Sequence, residues 1–304
     1  MPLDATQFLG LPPCGMEKAD ALILPLPLEK TVSYGIGTAG GPRAILDASL
    51  QLELFDETSR LDFAEYPKVH TLPPLVPDAA LTAEALTDFL EAIRRQVQGL
   101  REKFLLSLGG EHTLTYGTVC GLVDDPAELT IVQIDAHADL IDALDGRRWS
   151  HGTVMRRLWE KGCRLVQIGV RSLSREEHEL ISRGPRITTY YAEQLPQRWE
   201  PLLEALRCLG GKVYLSIDVD GLDPSIVPST GTPQPGGLTW AQTLQILNAL
   251  RDARRCCWIG ADVVEYVPAP HPPGCDPTVA RLVMKLLAAY AQSRVARRTP
   301  KAKS

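Results

Sequence analysis

Paired cysteines are missing from this chain. Its seven cysteines are an odd number, scattered and without CxxC spacing, which excludes a disulfide framework and a thiolate zinc site and predicts reduced, mostly buried thiols. Long apolar runs are missing too: the most apolar early stretch, Ala21 to Leu28, is broken by Pro25 and Pro27, so no membrane span is expected. Met1 to Gly10 has neither the positive start nor the apolar stretch of a secretory signal, which predicts a cytoplasmic protein. No charge of one sign dominates, and a net charge of −5 leaves no footprint for nucleic acid or an acidic membrane. The one basic cluster, Arg294, Arg297, Arg298, Lys301 and Lys303, falls in a tail spanning about 294–304 and reads as a solvated, frayed end.

What the chain does have is apolar content, 44% of 304 residues, enough for a large core. Short runs rich in Val, Ile and Leu alternate with segments of helical period, the pattern of a mainly parallel α/β sheet covered on both faces, here read as one domain spanning 1–304. Strands are predicted at Ala21 to Leu26, Phe104 to Leu108, Leu129 to Asp135, Arg164 to Val170, Ile187 to Tyr190, Val213 to Ile217 and Trp258 to Val264. The clearest helix is Leu81 to Lys103, where Leu86, Phe89, Leu90, Ile93, Val97 and Leu100 form one stripe. The Pro- and Gly-rich stretches Val227 to Gly237 and Val267 to Pro277 read as ordered loops. Ligands of such sheets gather beyond the carboxyl ends of the strands, and that is where the chain's unusual polar residues fall.

Three segments carry them. In Gln133-Ile134-Asp135-Ala136-His137-Ala138-Asp139, extended spacing would turn Asp135, His137 and Asp139 to one side. In Ser216-Ile217-Asp218-Val219-Asp220-Gly221-Leu222-Asp223-Pro224, Asp218 and Asp220 would share a side, and two close ionised carboxylates need a cation between them. Asp223 before Pro224 reads as a turn residue. In Ser107-Leu108-Gly109-Gly110-Glu111-His112-Thr113, glycines allow a tight turn that presents His112 at the sheet's edge. Singly, these segments could be a solvated strand end, or a core histidine beside a glycine turn. Together they supply two imidazoles and four carboxylates, a set suited to manganese and larger than one ion needs, so a bridged pair of ions is predicted.

In these segments the sequence resembles the ureohydrolases, the family of arginase, agmatinase, guanidinobutyrase and formimidoylglutamase. The resemblance extends to Tyr34-Gly35-Ile36-Gly37-Thr38-Ala39-Gly40-Gly41-Pro42-Arg43, Ser150-His151-Gly152 and Asp262-Val263-Val264-Glu265. It implies a three-layer αβα fold with a mainly parallel sheet of about eight strands, and two manganese ions per chain. His112, Asp135, Asp139 and Asp218 would hold one ion, and Asp135, His137, Asp218 and Asp220 the other. By the same resemblance Glu265 binds the guanidinium, His151, which opens a predicted helix His151 to Lys161, moves protons to the departing amine, and the loop around Thr232 shapes the substrate pocket. Trimers or hexamers are implied as well.

Neither Leu140-Ile141-Asp142-Ala143-Leu144-Asp145-Gly146 nor Gly169-Val170-Arg171-Ser172-Leu173-Ser174 carries the residues by which arginases hold the amino-acid end of arginine. The run Ser150 to Arg157 looks instead like agmatinases, so the expected substrate is a small cationic guanidino compound, agmatine first, yielding putrescine and urea. N1-aminopropylagmatine, guanidinobutyrate and arginine are the alternatives. Asp142 and Asp145 could attract the substrate amine or could be solvated loop carboxylates. Rival classes are a single-zinc, deacetylase-like amidohydrolase and a non-catalytic homologue.

Overall fold

The computed structural model describes residues 6–269 and 275–298. Its strands are β1 (Ala21–Leu26), β2 (Phe55–Asp56), β3 (Leu61–Asp62), β4 (Val69–Thr71), β5 (Phe104–Gly109), β6 (Leu129–Ile134), β7 (Arg164–Val170), β8 (Ile187–Tyr191), β9 (Gly210–Asp218) and β10 (Arg255–Val264). The helices are α1 (Gly41–Ser49), α2 (Leu86–Gln98), α3 (Leu114–Leu122), α4 (Val154–Glu160), α5 (Arg175–Arg183), α6 (Leu195–Arg207), α7 (Trp240–Asp252) and α8 (Asp276–Arg298). Eight strands form one sheet in the order β4-β1-β5-β10-β9-β6-β7-β8, every neighbouring pair parallel. β2 and β3 form a separate antiparallel pair.

The strands read as nearly unbroken apolar runs because both faces of the sheet are covered. Ala21, Ile23, Leu106, Val132 and Leu215 enter a core shared with α1, α6, α7 and α8. Leu22, Leu24, Leu105, Ile131 and Leu165 face the opposite way, into a core shared with α2, α3 and α4, with Leu180 and Ile181 of α5 packed against it. This is the expected three-layer α/β/α architecture.

All seven expected strands are present, Ala21–Leu26 and Arg164–Val170 with the expected bounds and the other five with shifted ends, and within the eight-stranded sheet the short β4 is the strand the pattern does not announce, as are β2 and β3 outside it. The stripe on α2 is buried at Leu86, Phe89, Leu90, Ile93 and Val97, but the helix is shorter than Leu81 to Lys103. Leu81 closes a separate turn on Asp78, and beyond Gly99 the chain makes single turns. α8 begins inside the loop expected at Val267 to Pro277, whose residues 270–274 lie outside those described. It also absorbs the start of the expected frayed tail: Arg294 pairs with Asp20 at 2.8 Å and Arg297 donates to the Cys256 carbonyl at 2.8 Å. The Arg298 side chain, Lys301 and Lys303 lie outside the described residues. All seven cysteines are free, and no described helix is long and apolar enough to cross a membrane.

β10 inserts between β5 and β9, so the four central strands β5, β10, β9 and β6 direct their carboxyl ends to one place. The three polar segments emerge there.

Candidate metal centre and substrate cleft

At β5 the turn needs glycine for close approach. A Cβ on Gly110 would lie 1.9 Å from the Leu28 carbonyl oxygen, so nothing larger fits. The next turn presents His112, and two hydrogen bonds set its ring. Ser216 Oγ donates to Asp262 Oδ1 at 2.7 Å and has therefore spent its hydrogen, so it accepts from His112 Nε2, 2.8 Å away. That assigns the Nε2–H tautomer and leaves Nδ1 facing Asp139 Oδ2 at 3.0 Å, Asp135 Oδ2 at 3.3 Å and Asp218 Oδ2 at 3.6 Å. This buried nitrogen has no hydrogen-bond partner. A bare nitrogen and three carboxylate oxygens coexist only around a proton or a metal ion.

The other acids converge by a different route from the one their spacing predicts. β6 ends at Ile134, and residues 135–139 do not continue as strand. Asp139 is turned in by a left-handed backbone, φ +55°, so strand alternation does not bring it to Asp135. Nor are Asp218 and Asp220 neighbours on an extended strand: Asp218 caps a 3-10 turn over Val219–Gly221 and accepts the Asp220 N–H at 2.9 Å. Strand geometry fails at both places because the chain has left the sheet, where nothing enforces a period of two. The convergence itself stands. His112, Asp135 and Asp139 each offer an atom within 4.8 Å of the others, as do Asp135, His137 and Asp220. Asp135 belongs to both groups, which together form a binuclear metal-binding site. Asp218 adjoins the first group, and Asp223 serves as the expected turn residue, accepting from Ser225, Gly236 and Gly237.

The electrostatics describe a cluster short of positive charge. Burial, then Asp139 and Asp220, raise the Asp135 carboxyl to about 7. Burial, then Asp220 and Asp135, drive Asp218 well above the carboxylate range. Burial alone would lower the His137 imidazole, but Asp220 outweighs it and lifts the group to about 9. His112 rises in the same way, burial being overcome by Asp135 and Asp139. Burial would raise Asp220, yet His137 holds it low. Divalent ions would take the place of these protons.

Above the cluster opens a cleft of about 230 Å³ whose lining includes Ile141, Leu144 and Leu173 together with His151, Thr232 and Glu265. Glu265, again at positive φ (+62°), accepts the His112 N–H at 2.6 Å through Oε1. Burial pushes this carboxyl well above its usual range, and Glu111 and Asp220 add to the rise, so it ionises readily only against a cation. His151 opens a 3-10 turn, His151–Thr153, that leads into α4, so the helix expected at His151 to Lys161 starts later in α form. Thr232 Oγ1 stands 3.4 Å from Asp220 Oδ2. Asp142 and Asp145 do not line the cleft: Asp142 is paired at 2.6 Å with the nearly buried Arg157, and Asp145 sits in an exposed turn at φ +51°.

Sequence reasoning missed the layer beneath the ligands. Across five strands, Asp262, Ser216, Gln133, Gln167 and Thr189 lie side by side in register, linked by hydrogen bonds of 2.7 to 2.9 Å apart from a gap between Ser216 and Gln133. Gln133 Nε2 also holds Asp135 Oδ2 at 2.7 Å. The readable signal was a polar residue inside an apolar strand, two positions before a ligand, in Gln133 and Ser216.

The family model of the Arginase family matches residues 19–289. The chain belongs to that family and is a ureohydrolase-type enzyme acting on a carbon–nitrogen bond of a guanidino or amidine group. Among individual proteins it is similar to the N(1)-aminopropylagmatine ureohydrolase of Synechocystis sp., 34% identical with 90% of each chain covered. It is also similar to the agmatinase of Pyrococcus horikoshii, 34% identical over 84% of this chain and 87% of that one. The solved proclavaminate amidino hydrolase of Streptomyces clavuligerus superposes with a TM-score of 0.82 at 26% identity, covering 96% of this chain and 100% of that one.

Proposed function

We propose that this enzyme hydrolyses the guanidino group of N1-aminopropylagmatine, releasing urea and the corresponding triamine. The observation that carries the reading is the charge of the cleft: among the described residues no lysine or arginine lines it, whereas Glu177 and Glu265 do. A substrate ending in a carboxylate, such as arginine or guanidinobutyrate, finds no counter-cation there, while a polyamine meets no repelling cation and finds the apolar side chains of Ile141, Leu144 and Leu173 for its methylenes. The similarity to the Synechocystis protein along nearly the whole chain supports the longer polyamine over agmatine; agmatine is the second reading, favoured by the Pyrococcus agmatinase. Urea release from N1-aminopropylagmatine, agmatine, guanidinobutyrate and arginine tests the ranking. The two amines are expected to exceed the two carboxylates in kcat/KM by roughly 10²-fold, the scale set by leaving a charge unpaired in a site. Preference for either carboxylate overturns the reading.

In this reading His112, Asp135, Asp139 and Asp218 hold one manganese, and Asp135, His137, Asp218 and Asp220 the other; the all-nitrogen-and-oxygen donor set and the unpartnered His112 Nδ1 support it. The chemistry supplied by a bound pair is activation of water for attack at the guanidinium carbon. Glu265, with Oε1 tied to His112 N–H, offers its other oxygen to the guanidinium, and Thr232 lines the same cleft. His151 delivers a proton to the departing amine, which is a poor leaving group unless protonated. His151→Ala is expected to lower kcat about 10²-fold while two metal ions per chain remain bound. Loss of metal in that variant would assign His151 to the coordination shell instead. A single domain working as a homo-oligomer, trimer or hexamer, in the cytoplasm completes the proposal, and seven unpaired cysteines suit a reducing compartment.

A further inference from the structure

Glu111 is the residue of the Gly-Gly-Glu-His turn that the metal centre leaves without a task. It is fully buried and no cation pairs with it among the described residues. Its charge is met by hydrogen bonds from Lys30 N (2.5 Å), Thr31 N (2.6 Å), Thr31 Oγ1 (2.9 Å) and Thr113 Oγ1 (2.7 Å). Three of these come from the segment before Tyr34-Gly35, whose far end is pinned by Glu29 through Gly37 N and Ala39 N. That segment faces His151. Thr31 Oγ1 lies 3.3 Å from His151 N and 3.5 Å from its Nδ1, and Ser33 Oγ lies 3.0 Å from its Nε2.

The proton count on these hydroxyls fixes the ring. Thr31 gives its one hydroxyl hydrogen to Glu111, so toward His151 it can only accept. Nδ1 is therefore the protonated nitrogen, and Nε2 is the nitrogen that gains and loses the transferable proton. Ser33 can follow that change, donating to a neutral Nε2 and accepting from a protonated one. A carboxylate orients a hydroxyl, which orients an imidazole that lines the cleft and whose opposite nitrogen meets Ser33.

We infer that Glu111, Thr31 and Ser33 are positioning residues for His151, setting its tautomer and ring plane; the inference rests on the proposed role of His151 as proton donor. The test is a set of variants of the manganese-loaded enzyme read by steady-state kinetics and crystal structures. Thr31→Val is expected to lower kcat about 10-fold or more with KM changed less than about 2-fold. Thr31→Ser is expected to restore most of the loss, and in a His151→Ala background Thr31→Val is expected to cost nothing further. The crystals should show the His151 ring turned or split between rotamers in Thr31→Val and held in Thr31→Ser. Ser33→Ala, at an exposed side chain, is expected to give a smaller kcat loss that also vanishes in the His151→Ala background, and it stands in if Thr31→Val does not fold. An unmoved ring in Thr31→Val, or the same loss with and without His151, overturns the inference. Full turnover by His151→Ala would instead remove the proton-donor role, and the ring orientation in the crystals would still decide positioning.

Discussion

Asp135→Asn is expected to strip both metal ions from the protein and to cut urea release by on the order of 10³-fold or more. Asp135 is the carboxylate common to the two ligand groups, and it is fully buried, so no solvent donor can replace it. One oxygen accepts the His137 N–H at 2.6 Å and the other the Gln133 amide at 2.7 Å, so the side chain is already aimed. Asparagine keeps the shape and loses the charge. Asp139→Asn and Asp220→Asn each touch one group and are expected to lose one ion preferentially. Metal analysis after exhaustive dialysis reads all three, and two ions retained by Asp135→Asn would contradict the assignment.

The metal-free protein should lose stability as pH rises, and manganese should restore it. The Asp135 carboxyl sits at about 7 in the folded chain against ~3.9 unfolded, so between those values the folded state holds more protons and stability falls with rising pH. His137, at about 9 folded against ~6.5 unfolded, contributes in the same direction through a higher window: its stabilisation is complete below the unfolded value and is lost as pH passes the folded one. Asp220, held low by His137, works oppositely, but only in the acid range below ~3.9. Metal ions displace these protons, so binding strengthens where the apoprotein weakens, and a ligand at a thousandfold excess over its Kd adds about 4 kcal/mol. The melting temperature gained on adding manganese should be larger at pH 8.5 than at pH 6, and addition at pH 7 should release protons into a weak buffer. A gain independent of pH would show that the acids are not at the ions.

The sheet was legible because parallel strands covered on both faces appear as short apolar runs, and Leu129–Ile134 or Phe104–Gly109 can hardly be read otherwise. The three-residue β4 was not, since Val69–Thr71 carries too little pattern. The candidate ligands were legible from residue type, yet the geometry joining them was not: the left-handed turn at Asp139 and the 3-10 turn after Asp218 obey no period. Asp142 shows the limit for charges, because its pairing with Arg157 joins residues 15 apart in sequence. Least legible were Thr31, Ser33 and Glu111, whose contacts span 80 to 120 residues and exist only in the folded chain.

The proposed chemistry depends on two ions sharing the Asp135 carboxylate. A crystal of the manganese-loaded enzyme, with data collected at the manganese absorption edge, tests that directly. The anomalous map should show two peaks about 3.5 to 4 Å apart, one beside His112 and one beside His137, with Asp135 between them. A single peak, or peaks remote from Asp135, would contradict it.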